Sequence, residues 1–214
     1  MDKGLIVVLC VVTCVVGILM PAAAENRMKY NGYSGGMMLH TGYVFGGVST
    51  PQQGGTVVAT EKMQGMPIGI GGAIRLNFGK YLRVGTEGYS TTLYYGQKGS
   101  YATIGWGGLL ADCAFTKDRH TFFVGATVGG GAYRNLTLTE AMLQDWEVEN
   151  NVSYRKYAFM AVAPFVGYEW AMTQKIHLVL KLDYLLNVTN PQPDFITGPR
   201  LYIGFMFCRG QQNS

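Results

Sequence analysis

Between residues 176 and 188 every even position is apolar: Ile176, Leu178, Leu180, Leu182, Tyr184, Leu186 and Val188. The odd positions include His177, Lys181, Asp183 and Asn187. Side chains alternate faces along a β-strand, so this pattern gives one greasy and one polar face, whereas helical spacing would scatter Lys181 and Asp183 onto the apolar side. Residues 68–78 repeat it, with Ile68, Ile70, Ile74, Leu76 and Phe78 on one parity and Gly69, Gly71, Ala73, Arg75 and Asn77 on the other. The chain is therefore read as a strand protein.

The same alternation predicts six further strands, near residues 33–45, 81–95, 100–115, 121–134, 155–170 and 198–208. The segment 100–115 alternates poorly, because Asp112 shares parity with Ile104 and Trp106, and is read as lying close to a membrane edge. Several segments exceed ten residues, which suits a tilted bilayer span of ~9–11 better than the globular mode of about 5–6. Connections alternate in length: 79–80, 116–120 and 171–174 are short, 46–65 and 135–154 are long, 189–197 is intermediate, and 95–99 breaks the pattern. Aromatics gather at both ends. Phe78, Tyr81, Phe115, Phe122, Tyr168, Trp170, Phe205 and Phe207 fall at the short-turn end, and Tyr43, Phe45, Tyr94, Tyr95, Tyr101, Tyr133 and Tyr154 at the other, as expected of rings at two headgroup levels.

The first 24 residues differ in kind. Lys3 precedes an almost purely apolar run over 5–20, then Pro21-Ala22-Ala23-Ala24 leads into Glu25. A cationic start, an apolar run shorter than the ~20 residues of a spanning helix and an A-x-A exit describe an export signal, cut between Ala24 and Glu25. No later segment could cross a membrane as a helix, so a membrane location requires a closed barrel. Charged residues make up 14% of the chain, against a usual quarter or so, while glycine (30) and tyrosine (14) are abundant. The net charge of +4 is spread out, which argues against a nucleic-acid partner.

The leader, the eight alternating segments and the closing run Leu201-Tyr202-Ile203-Gly204-Phe205-Met206-Phe207 together resemble the small outer-membrane barrels of the OmpX and OmpA-barrel type. The closing run looks like the aromatic-ended strand that the barrel-insertion machinery recognises, although here Phe207 is followed by residues 208–214. The resemblance implies an all-β, closed antiparallel up-and-down transmembrane barrel of eight strands over 25–214, set in outer-membrane lipid of the bacterial envelope with its short turns periplasmic.

Eight strands close a barrel just wide enough for side chains to fill. The expected inward set is His40, Arg75, Asn77, Arg83, Glu87, Glu169, His177, Lys181, Asp183 and Arg200, with both signs present as desolvated charges require. Expected pairs are Glu87 with Arg75 or Arg83, and Asp183 with Lys181 or Arg200. The network is read as structural filling rather than an ion path.

Catalysis would need a nucleophile beside a histidine. His40, His120 and His177 have no Ser two residues on, and no Cys, His or carboxylate cluster has metal-ligand spacing, so the chain is read as non-enzymatic, without cofactor or metal. Cys113 and Cys208 are expected at the periplasmic end, facing inward on opposite walls, too far apart for a disulfide and therefore free thiols. The acidic segment 136–153 carries Glu140, Trp146 and Glu147 among apolar residues and, with the Gly/Gln-rich loop 46–65, is the expected contact surface for an extracellular partner. Two rival readings stand beside this one: a lipid-modifying membrane enzyme, and a soluble exported lipocalin-like barrel. The lipocalin reading would turn Arg75, Lys181 and Asp183 to water and line a cup with Ile and Leu.

Overall fold

The computed structural model describes residues 29–50, 52–53, 56–57, 60–96, 99–138, 152–189 and 192–210. The proposed leader with its Ala24–Glu25 cut, and the loop residues Glu140, Trp146 and Glu147, lie outside the described residues.

Among the described residues thirteen strands follow in chain order: β1 (Tyr30–Gly42), β2 (Val44–Ser49), β3 (Gln52–Gln53), β4 (Thr56–Val57), β5 (Glu61–Gly65), β6 (Ile68–Phe78), β7 (Leu82–Tyr95), β8 (Ser100–Lys117), β9 (His120–Leu138), β10 (Val152–Ala171), β11 (Ile176–Tyr184), β12 (Leu186–Asn187) and β13 (Pro199–Arg209). Eight of them form an antiparallel ring, β1-β6-β7-β8-β9-β10-β11-β13, closed by the pairing of β13 with β1. Closure pairs the backbone of every wall strand on both sides, which is what lipid demands of a sheet.

The greasy parities point outward. Ile68, Ile70, Ile74 and Leu76 are exposed while Arg75 on the same strand is 0% exposed, and Leu180 and Leu182 are exposed while Lys181 is 1%. This disposition excludes the lipocalin reading, because the charges lie inside and the aliphatic side chains outside. The chain is a transmembrane β-barrel.

In β8 the alternation holds along the strand except at Cys113, the one odd-numbered position that is buried. Ala102, Ile104, Trp106, Leu110 and Asp112 are all buried, and Tyr101, Leu109 and Phe115 exposed. The membrane-edge explanation is corrected: the inward parity simply carries apolar side chains at its upper end and a carboxylate near its lower end. The rings Tyr95 and Tyr133 are also reassigned, being 4% and 0% exposed and thus inside the mouth rather than in an outer belt, unlike Tyr43, Phe45, Tyr94, Tyr101 and Tyr154.

Short turns join β6 to β7, β8 to β9 and β10 to β11 at one end, where Gly79 at φ 57° supplies the left-handed residue of the first. Strands β8, β9 and β10 run for 18, 19 and 20 residues, well beyond the ~9–11 needed to cross. Since their turns are fixed at the short-loop end, the excess projects from the other. There β9 and β10 stay paired up to Leu138 and Val152.

Candidate functional site: the lumen and its mouth

Sequence alternation on six strands delivers ionic side chains into the ring, and they sort into two groups of matched charge. The lower group joins Arg75 (β6), Arg83 (β7), Asp112 (β8) and Glu169 (β10). Arg75 Nη1 and Arg83 Nη1 both donate to Glu169 Oε1, at 2.7 and 2.8 Å, and Arg83 Nε donates to Asp112 Oδ1 at 2.6 Å. Arg75 Nε stands 3.5 Å from Asp112 Oδ2. Both guanidinium groups lie over the Phe123 ring, 4.7 and 4.8 Å from its centre, a cation–π arrangement that strengthens when water is absent. That ring needs Gly167 opposite it, since a Cβ there would fall inside the Phe123 ring contact distance.

The upper group joins Glu87 (β7), Lys181 and Asp183 (β11) and Arg200 (β13). Lys181 Nζ donates to both Glu87 oxygens, at 2.8 and 2.6 Å, and stands 3.7 Å from Asp183 Oδ2. Arg200 grips Asp183 in a two-pronged pair, Nε to Oδ1 at 2.8 Å and Nη2 to Oδ2 at 2.9 Å. Thr127 Oγ1 donates to Glu87 Oε1 at 2.6 Å. Tyr89, Phe165 and Tyr202 surround the Lys181 ammonium at 4.6–5.1 Å. Each group thus contains two cations and two carboxylates, all at most 7% exposed.

The structure brings together eight of the ten expected lumen residues in these groups or at their edge and sets two apart. Glu87 pairs with Lys181 rather than with Arg75 or Arg83, a correction with a simple cause: the two arginines are taken by Asp112 and Glu169, while Lys181 reaches across the lumen. His177 Nδ1 lies 3.6 Å from Glu169 Oε2 at the edge of the lower group. His40 is held between the Tyr89 and Tyr202 rings, 5.5 and 4.6 Å away, and Asn77 is half-buried below. Asp112 is the ionic residue that sequence reasoning missed.

Above the charges the mouth is filled by the chain's own loops. Strands β2 and β5 pair with each other, so part of the expected loop 46–65 is ordered strand, and its Ser49 and Met63 are 2% and 0% exposed. Segment 192–198 crosses beside it: Val48 N donates to Pro193 O at 2.7 Å, and Phe45 N to Thr197 O at 3.1 Å. Asp194, fully buried, accepts from Tyr157 OH at 3.3 Å and Asn135 Nδ2 at 3.4 Å, and faces Arg155 Nη1 at 3.4 Å. Tyr133 OH donates to its carbonyl at 2.5 Å. Phe195 packs on Phe159 and Tyr133, with ring centres 5.0 and 5.9 Å apart. Tyr95 OH, bonded to Asn135 and Thr137, completes the layer.

Among the described residues, Cys113 and Cys208 are free thiols. Cys113 is 3% exposed although it shares the parity of exposed Leu109 and Phe115, and Cys208 is half-buried near the end of β13. Among the described residues no three His, Cys, Asp or Glu side chains group as metal ligands. His120, on the outer wall, bonds Tyr168 OH through Nδ1 at 2.6 Å.

The sequence matches no protein-family model and no curated protein. Solved structures do match in shape. The outer membrane protein OprG from Pseudomonas aeruginosa is 11% identical, with a TM-score of 0.55 over 86% of this chain and 98% of that one. Ail, the attachment invasion locus protein of Yersinia pestis, solved in complex with the heparin analogue sucrose octasulfate, is 10% identical, with a TM-score of 0.51 over 84% of this chain and 99% of that one. Identities near a tenth carry the fold and nothing finer. With its closed eight-strand ring, outward apolar wall and ionic lumen, the chain has the fold of the small outer-membrane barrels of the OmpX and OmpA-barrel type.

Proposed function

We propose that the chain is a non-enzymatic barrel of the bacterial outer membrane with a structural or surface-interaction role exerted through its outer loops. The observation that carries this reading is the plugged interior. Two ion groups of matched charge fill the lumen, and Asp194, Phe195 and Met63 fill the mouth, so nothing inside is presented to a substrate. Among the histidines, His40 is engaged by rings and His120 by a tyrosine hydroxyl, while His177 lies between Glu169 and the Cys208 thiol, with no described serine beside any of them.

In this reading residues 1–24 are the export leader, and the closing strand β13 addresses the barrel-insertion machinery. In the same reading segment 136–153, with Glu140, Trp146 and Glu147, which connects the paired ends of β9 and β10, contacts an extracellular partner. A heparin analogue occupies the Ail structure; here the loop is acidic, and a cationic partner suits it better. The test is adherence to epithelial monolayers by cells displaying the full chain or a version lacking 139–150, which retains the Leu138–Val152 pairing. Lower adherence of the deletion is expected at equal surface level; equal adherence refutes the loop role.

A further inference from the structure

The outer wall has a groove where lipid would lie. It occupies about 420 Å³ across β9, β10 and β11, lined among others by Phe122, Val124, Val166, Tyr168, Leu180 and Leu182. Its origin is a size mismatch. The small facing pair Val124 and Val166 sits between the larger pair Phe122 and Tyr168 below and the leucine pair Leu182 and Leu201 to the side.

The lower end of the groove leads to charge. Lys117 faces His120 across the β8–β9 hairpin, one pair beyond Thr116–Thr121 and two beyond Phe115–Phe122. Strand parity keeps Phe115, Lys117, His120 and Phe122 on the outer face, with the basic pair roughly 7 Å below the aromatic one. Arg119 is tied to the end of β10 by Ala171 N donating to its carbonyl at 2.8 Å. Lys29, Lys80, Lys117, Arg119, Lys175 and Arg209 are all exposed at this end, and among the described residues the only exposed acid with them is Asp118.

We propose that this wall is a binding site for an anionic phospholipid of the periplasmic leaflet, with an acyl chain in the groove and the phosphate at Lys117, Arg119 and His120. The apolar lining alone would accept any chain. The one-signed rim two residues beneath it is what selects a negative headgroup, as basic clusters at membrane surfaces do. Tyr168, hydrogen-bonded to His120, sits at the junction and orients the imidazole toward the rim. The inference goes beyond the loop role and does not depend on it.

The test is native mass spectrometry of the mature chain refolded in detergent and titrated with phosphatidylglycerol or phosphatidylcholine, with folding checked by heat-modifiable gel mobility. The wild type should retain phosphatidylglycerol about tenfold better. K117Q/R119Q, which alters only exposed residues at the tip of the β8–β9 hairpin, should bring it to the phosphatidylcholine level. V166F, or V124F should the first not fold, should weaken both lipids by filling the groove. Equal retention of the two lipids by the wild type, undiminished phosphatidylglycerol binding by K117Q/R119Q, or a lipid-free dimer lost in V166F would overturn the proposal.

Discussion

The pair of Asp183 and Arg200 offers the sharpest perturbation of the lumen. Its two hydrogen bonds, 2.8 and 2.9 Å long, join groups that are 3% exposed at most. Charge centres about 4 Å apart attract by roughly 4 kcal/mol at the effective dielectric that suits partly relaxed protein sites. Removing either partner strands the other. Arg200→Met leaves Glu87 and Asp183 facing Lys181 alone, and Asp183→Leu leaves two cations facing Glu87, so each single change should cost about 3–5 kcal/mol. The double variant D183L/R200M leaves Lys181 on Glu87, one charge of each sign, and should cost less than either single change. The assay is reversible urea unfolding in phospholipid vesicles, followed by tryptophan fluorescence and gel mobility, arranged as a double-mutant cycle. Single costs that simply add in the double variant would refute the reasoning that charge matching within this group, rather than bulk packing, stabilises the lumen.

Gly167→Leu drives a side chain into the Phe123 ring and should destabilise the barrel by at least ~2 kcal/mol, seen as a lower temperature of mobility shift; an unchanged value would contradict the close approach. Asp194→Ala removes the acceptor for Tyr157 and Asn135, so hydrogen exchange across 192–198 should rise while that of β6 and β11 stays fixed. In planar bilayers the wild type should give no discrete conductance steps at moderate voltage; regular steps would show that the mouth layer is not a plug. Mild oxidation of the folded barrel should leave its non-reducing mobility unchanged, because Cys113 and Cys208 lie on different walls; a reducible internal crosslink would oppose that geometry.

The wall was legible in the sequence because one parity of each strand faces a single solvent. Lipid asks every outward position for the same thing, so Ile68, Ile70, Ile74 and Leu76 announce themselves. The interior was only partly legible, since a lumen accepts glycine, aromatic and ionic side chains alike. Trp106 and Ile104 on the inward parity made Asp112 look misplaced. Charge counting had the means to correct this: the expected inward set held four cations, Arg75, Arg83, Lys181 and Arg200, but three carboxylates, Glu87, Glu169 and Asp183. A sealed ring calls for a fourth, and Asp112 is that residue. The mouth was less legible still. Asp194 and Met63 carry no periodic signature, and their burial depends on loops meeting across the ring, which spacing along the chain does not report.

The membership of the two ion groups bears on how the barrel enters a bilayer. The upper one draws Glu87 from β7 and its cations from β11 and β13, on the far side of the circle. A half-built sheet, with β7 laid down and the last strands still absent, would carry a bare carboxylate into hydrocarbon. Closure of the ring by β11 and β13 therefore brings the countercharge that lets this carboxylate lie inside a wall facing lipid.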